Sequence, residues 1–220
     1  MKIIIGANSF LSSCLVENWH AQPITLVGRA HPKEFLEIDS TELAFVETDY
    51  HNAKEVASVL MNNSNIEVIF VGISSEPALL INADTTLLIE EFKSNVIFSL
   101  EIIKCLLPEM IRQNYGRFIF IGSQESDNGV IGGVGYSMIK NSQKAISTNV
   151  AIEYSRFNIT SNIVRIGYLG GGYSLKLSDK RKQELTKAQD GSFRTNPQCI
   201  GSAINEILQD KNINGKIFDV

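Results

Sequence analysis

Two residue types four positions apart, and a third upstream, could together perform proton chemistry. Tyr136 and Lys140 stand in Tyr-Ser-Met-Ile-Lys, and Ser123 lies thirteen residues before the tyrosine. On a helix, residues four apart share one face about one turn from each other. A free phenol, with a pKa of ~10, is a poor acid–base group at neutral pH. An ammonium ~4 Å away at an effective dielectric of ~20 is worth about 4 kcal/mol. At ~1.4 kcal/mol per unit this lowers the phenol by roughly three units, to near 7. Such a phenol can give a proton to a carbonyl oxygen that receives a hydride, or take one from an alcohol. A serine hydroxyl beside it can hydrogen-bond the same oxygen and favour the charge that builds there. Tyr-x-x-x-Lys alone usually marks a solvated helix face. The serine at the end of an apolar run, Arg117–Ile121 followed by Gly122-Ser123, makes a site the better reading.

The elements that must position these residues are visible in the hydrophobic pattern. Lys2–Ile5, Ile24–Val27, Leu43–Glu47, Val68–Val71, Arg117–Ile121, Thr160–Arg165 and Lys216–Asp219 are short runs rich in Val, Ile and Phe. Most are nearly continuous in apolar residues, as parallel strands covered on both faces are. Helical stretches are expected at Ser12–His20, Ala53–Met61, Thr85–Asn114, Gly135–Phe157 and Pro197–Gln209. Alternating strand and helix predicts an α/β fold: a doubly wound, Rossmann-like parallel sheet of about seven strands, with residues 1–220 as a single domain. Ser123 then lies at the C-terminal edge of the sheet, where open α/β sheets bind ligands. One stretch, 170–194, breaks the rhythm with Gly170-Gly171-Gly172 at its start and Asp190-Gly191 near its end. It reads as a substrate lid or as a plain surface insertion.

The first strand runs into Gly6-Ala7-Asn8-Ser9-Phe10-Leu11-Ser12, a tight turn opening an amphipathic helix. In a dinucleotide-binding sheet the pyrophosphate rests there, on amides at a helix N-terminus. Gly6, Asn8, Ser9, Phe10 and Leu11 are therefore candidate cofactor contacts. Ser9 and Ser12 stand where the G-x-x-G-x-x-G form has glycines, and their hydroxyls could donate to phosphate. The second strand ends in Val27-Gly28-Arg29, without the acidic residue that would hold a ribose 2′-hydroxyl. Arg29 could pair with a 2′-phosphate instead, so NADP(H) is expected, with NAD(H) as the alternative. Asp49 and Tyr50 end the third strand where an adenine ring would lie.

These residues resemble those of the short-chain dehydrogenase/reductase family, single-domain branch, over essentially the whole chain. The resemblance rests on Gly6, Asp49, Asn95, Ser123, Tyr136, Lys140 and Ile166-Gly167. It implies an oxidoreductase in which Asn95, Ser123, Tyr136 and Lys140 are catalytic, with Tyr136 as general acid/base. Tyr136 and Lys140 would also touch the cofactor, as would Gly72 after the fourth strand and Gly167 and Leu169 after the sixth. It implies that Asn95 bends the long helix before the serine strand and holds a water linked to the lysine. It implies too a homodimer or homotetramer paired through the two long helices. Serines replace glycines in the first turn, and the fourth strand ends in Val71-Gly72-Ile73-Ser74 where the family has Asn-Asn-Ala-Gly.

Composition sets the limits. The formal net charge is −4 and no long basic run occurs, which argues against a nucleic-acid partner. The longest apolar stretches are of strand length, far short of the ~20 residues of a spanning helix, so no membrane partner is expected. The apolar run at residues 3–5 is too short for a signal peptide. Cys14, Cys105 and Cys199 show neither metal spacing nor a disulfide framework, and no metal site is expected at His20, His31 or His51; a cytoplasmic location fits. The partner expected is a small carbonyl or alcohol substrate. Two rivals stay open: a nucleotide-sugar epimerase or dehydratase with tightly held cofactor, suggested by the Gly6–Ser12 turn, and a non-enzymatic dinucleotide-binding regulator.

Overall fold

The computed structural model describes residues 1–19, 22–31, 43–72, 77–123, 126–127, 129, 131–167, 169 and 196–220. The expected lid at 170–194 lies outside the described residues. The elements are β1 (Lys2–Ile5), α1 (Phe10–Trp19), β2 (Ile24–Gly28), β3 (Leu43–Glu47), α2 (Ala53–Leu60), β4 (Glu67–Phe70), α3 (Thr85–Phe92), α4 (Phe98–Gln113), β5 (Gly116–Ser123), α5 (Val134–Tyr154), β6 (Ile159–Ile166), α6 (Pro197–Gln209) and β7 (Ile217–Asp219). The strands form a seven-stranded sheet in the order β3-β2-β1-β4-β5-β6-β7. Every neighbouring pair is parallel. This is the doubly wound sheet expected from the apolar runs.

Period-two alternation divides each central strand between two helical layers. Ile3 and Ile5 of β1, Val68 and Phe70 of β4, and Phe118 and Phe120 of β5 pack with Val56 and Leu60 of α2, Phe98, Ile102 and Leu106 of α4 and Val150 of α5. Phe70 stacks on Phe120 with centroids 4.6 Å apart. Ile4, Ile69, Ile119 and Ile121 face the other way, onto Leu11, Leu15 and Trp19 of α1 and Ile200, Ile204 and Ile207 of α6. Winding reverses between β1 and β4, which opens a crevice at their C-terminal ends.

Two helices differ from expectation, each for a local reason. α1 starts at Phe10 because Ser9 Oγ accepts from Ser12 N at 3.0 Å and caps it. The expected helix Thr85–Asn114 is divided by a π-turn at Lys93–Ile97, at the place where the resemblance implies a bend around Asn95. Asp84 caps the first part, accepting from Thr86 N at 2.8 Å.

The opposite edge of the sheet is pinned by Arg117, which is 4% exposed. Its guanidinium donates to Leu208 O at 3.1 Å, Gly116 O at 2.8 Å and Asn158 O at 2.6 Å. It also lies over the Tyr115 ring, whose phenol donates to Glu67 Oε1 at 2.7 Å. Arg117→Met strips these carbonyls of their donor, and urea unfolding of the variant is expected to show a loss of about 3 kcal/mol. An unchanged midpoint would mean the contacts are incidental.

Candidate active site at the C-terminal edge of the sheet

Ser123 ends β5, buried and opposite Ile166 of β6. Its carbonyl accepts from Ser126 N at 3.3 Å and from Ser126 Oγ at 2.8 Å. Asn141 Nδ2 on α5 donates to Ser126 O at 3.1 Å, so the turn that follows the serine is tied to the helix that carries the tyrosine. Farther along, Asp127 accepts from Arg165 Nη1 at 2.6 Å and from Lys144 Nζ at 3.3 Å. Arg165 also holds Asp219 at 2.7 Å.

Tyr136 lies in the first turn of α5, half-buried, and Lys140 follows one turn later, 8% exposed. Lys140 Nζ lies 5.8 Å from the Tyr136 ring centroid. It donates to Ile121 O at 2.7 Å and, more weakly, to Val71 O at 3.5 Å. These carbonyls belong to β5 and to the residue just beyond β4, so the ammonium is seated across the edge of the sheet. Burial pulls its pKa down from the usual 10.5 to about 8.

Asn95 sits in the π-turn, 3% exposed. The additional residue in that turn rotates the helix so that the side chain faces inward. Its Nδ2 donates to Glu91 O at 2.9 Å, and its carbonyl accepts from Ser99 Oγ at 2.6 Å. Gly72, with φ +78°, lies under both groups: a Cβ there would stand 3.2 Å from Lys140 Nζ and 3.3 Å from Asn95 Oδ1. Asn95, Lys140 and Gly72 are thus brought together, with Tyr136 on the same helix face as Lys140 and Ser123 two residues past its Ile121 acceptor.

The second half of the site is the turn after β1. Gly6 and Ala7 both donate to Val27 O at 3.0 Å, and Gly6 has φ +108°. A Cβ on Gly6 would come within 3.3 Å of Gly72 N and O, so the two central strands end in facing glycines. Among the described residues, the amides of Phe10 and Leu11 meet no backbone acceptor, as the first amides of a helix do. The serines behave differently from expectation. Ser12 is fully buried, and its hydroxyl donates inward to Gly6 O at 2.9 Å, away from any phosphate. Ser9 Oγ meets Ser12 Oγ at 2.8 Å as well as capping the helix. Asn8 Nδ2 donates to Ala30 O at 2.8 Å and ties the turn to the loop bearing the exposed Arg29.

Other expected contacts are distributed unevenly. Asp49 is exposed and its Oδ1 accepts from His51 N at 2.9 Å. Tyr50 is a correction: its ring is 5% exposed and packs edge-on against Phe98 at 5.2 Å, in the core and not on an adenine-facing surface. Burial pushes its phenol up, with Arg29 opposing. Gly167 lies half-buried just past β6, and Leu169 packs against the α1–α6 side of the core. Gln143 was absent from the expected set although it is 2% exposed and donates from Nε2 to Asn95 O at 3.3 Å. Its position seven after Tyr136 on the same helix face was the available signal. No group of three His, Cys, Asp or Glu side chains among the described residues could hold a metal.

The comparisons with known proteins agree with this geometry. The profile of the short chain dehydrogenase family matches residues 25–182. The 3-oxoacyl-[acyl-carrier-protein] reductase FabG of Buchnera aphidicola is 28% identical over 136 residues, 62% of this chain and 52% of that protein. The chain thus spans about half the length of that relative. MabA of Mycobacterium tuberculosis, another 3-oxoacyl-[acyl-carrier-protein] reductase, is 23% identical over 185 residues, 81% of this chain and 71% of that protein. The crystal structure of a short chain dehydrogenase/reductase family oxidoreductase from Burkholderia thailandensis superposes with a TM-score of 0.86 at 17% identity, covering 100% of this chain and 90% of that one. With a family match over most of its length on a sheet of this order, the chain belongs to the short-chain dehydrogenase family of oxidoreductases.

Proposed function

We propose that the protein is an NADP(H)-dependent reductase that interconverts a carbonyl and an alcohol, with Tyr136 as general acid/base. The observation that carries this reading is the buried Lys140 ammonium, held on Ile121 O one helical turn from Tyr136 and converging with Asn95 on Gly72. The residues present fit a nicotinamide dinucleotide: a tight glycine turn at positive φ, a helix start whose first amides meet no backbone acceptor among the described residues, and an exposed arginine just past β2. Gly6, Phe10, Leu11 and Arg29 would hold it, with Lys140 available to its ribose hydroxyls. Bound there, the nicotinamide would supply the hydride for reduction and take it up in oxidation.

The chain's own groups do the rest. Ser123 donates to the substrate oxygen and orients it. Tyr136 gives its phenolic proton to that oxygen as the carbon is reduced, and takes it back in the reverse direction. The Lys140 charge favours the phenolate left behind. A 3-oxoacyl thioester, the substrate class named for the reductases above, is the first carbonyl to try. Exposed Ile97, Leu100, Met138 and Ile152 on and beside α4 and α5 support pairing as a homodimer or homotetramer.

The test is NADPH oxidation followed across a panel of carbonyls that includes 3-oxoacyl thioesters. NADPH that binds without being consumed by any of them would overturn the reading. Cofactor choice rests on Arg29. Arg29→Glu is expected to weaken NADPH by about 10- to 100-fold, the worth of one charge-assisted contact, while NADH changes little. Fluorescence titration of both cofactors checks this, and tighter NADH in the unaltered protein would refute it.

A further inference from the structure

The mechanism above leaves one buried polar side chain without a task. Gln143 is 2% exposed, lies three residues beyond Lys140 on the inner face of α5, and its Oε1 has no hydrogen-bond partner. Its Nε2 is fixed on Asn95 O at 3.3 Å. A Cβ on Gly72 would stand 3.8 Å from that Nε2 and 3.2 Å from Lys140 Nζ, so the carboxamide and the ammonium converge over one glycine. The ammonium has three protons to place. One goes to Ile121 O at 2.7 Å and one reaches Val71 O only at 3.5 Å. A donor short of acceptors and an acceptor without a donor, buried side by side, are complementary.

We propose that Gln143 is a positioning residue for the Tyr136–Lys140 pair, its Oε1 accepting a hydrogen bond from the Lys140 ammonium through one buried water while its Nε2 anchors it to Asn95. An acceptor there favours the charged lysine, which in turn favours the Tyr136 phenolate. Gln143 thereby acts on proton transfer through Lys140 without touching substrate. The charged and titratable groups around the ammonium are few. Tyr136 and Lys144 flank it one turn away on α5, and Glu91 stands on α3 one turn before Asn95. β4 and β5 offer it backbone carbonyls, and burial alone drives its lowered pKa. The catalytic part of this inference rests on the reductase reading; the coupling of Gln143 to Lys140 does not.

The experiment is a pH titration of the cofactor-free protein carrying 13Cε-lysine, with the Lys140 resonance assigned by its absence in Lys140→Arg. In Gln143→Leu the Lys140 midpoint is expected to fall by at least about half a unit, because the ammonium loses an acceptor. In Gln143→Glu, which keeps an oxygen there and adds charge, the midpoint is expected to rise above that of the unaltered protein. Should Gln143→Leu fail to fold, Gln143→Met removes the same oxygen on an unbranched chain and is read in the same way. A Lys140 midpoint unmoved by loss of the oxygen would overturn the proposal, whatever the activity. The kinetic arm follows kcat in the alcohol-oxidising direction, where the phenolate is the working form. Its rise with pH is expected to shift upward in Gln143→Leu and to stay in place if Gln143 only fills space. Failure of the reductase reading would show separately, as absent turnover in the unaltered protein with the lysine titration still responding to Gln143.

Discussion

Tyr136→Phe is expected to lower turnover by about 10³-fold while leaving cofactor affinity within a few-fold, at the middle of the range for loss of a general acid. The variant removes one oxygen and leaves a ring of the same shape in the first turn of α5. Lys140 keeps its bonds to Ile121 O and Val71 O, and Asn95 its bond to Glu91 O, none of which runs through the phenol oxygen. Loss of rate therefore reports the proton and not a disturbed fold. Steady-state kinetics with a saturating carbonyl, alongside NADPH titration of the same preparation, separate the two quantities. Turnover within about tenfold of the unaltered protein would end the assignment of Tyr136 as the acid.

Lys140→Met is expected to separate stability from activity. The ammonium is buried and its pKa is lowered to about 8 from the usual 10.5. Below pH 8 it is charged in both folded and unfolded chains, and folding bears the full burial penalty. Between about 8 and 10.5 the unfolded chain binds more protons, so the stability of the unaltered protein rises with pH across that window. Methionine removes this dependence. At pH 6–7 the variant should be as stable as the unaltered protein or more so, by up to about 3 kcal/mol, with turnover reduced by roughly 10²- to 10⁴-fold. Denaturant unfolding at several pH values checks the first statement. A variant that unfolds far more easily at neutral pH would make the lysine a structural tie between β4 and β5, with lost activity a by-product. In the unaltered protein, carbonyl reduction is expected to decline as pH rises through about 8, because the charge that favours the phenolate is then lost.

How much of this was legible beforehand depended on whether a residue's role is local. The five inner strands could be read from their apolar runs because a strand covered on both faces admits almost nothing else, while the half-exposed edge strands β3 and β7 followed from the strand–helix rhythm. Tyr136, Lys140 and Ser123 were legible because helix spacing and a strand end determine where they lie. The π-turn was not. Lys93–Ile97 carries no proline or glycine, and a single additional residue in a helix leaves no compositional trace. Whether the Ser12 hydroxyl points to a phosphate or inward was not legible, because only the fold shows that Gly6 O lies within its reach. Tyr50 was misread because its ring could turn to solvent or core, and Phe98, distant in sequence, decides the matter. Gln143 escaped because the period that places it inward also fits an ordinary polar helix face.

The meeting of Gly6 and Gly72 has a consequence for how the crevice responds to what enters it. Just beyond the ends of the two central strands, Gly6 and Gly72 leave space that a Cβ on either would crowd. Such a floor has no rotamers to choose among. Side-chain adjustment to a guest must therefore come from the groups around it, Lys140 and Asn95 among them.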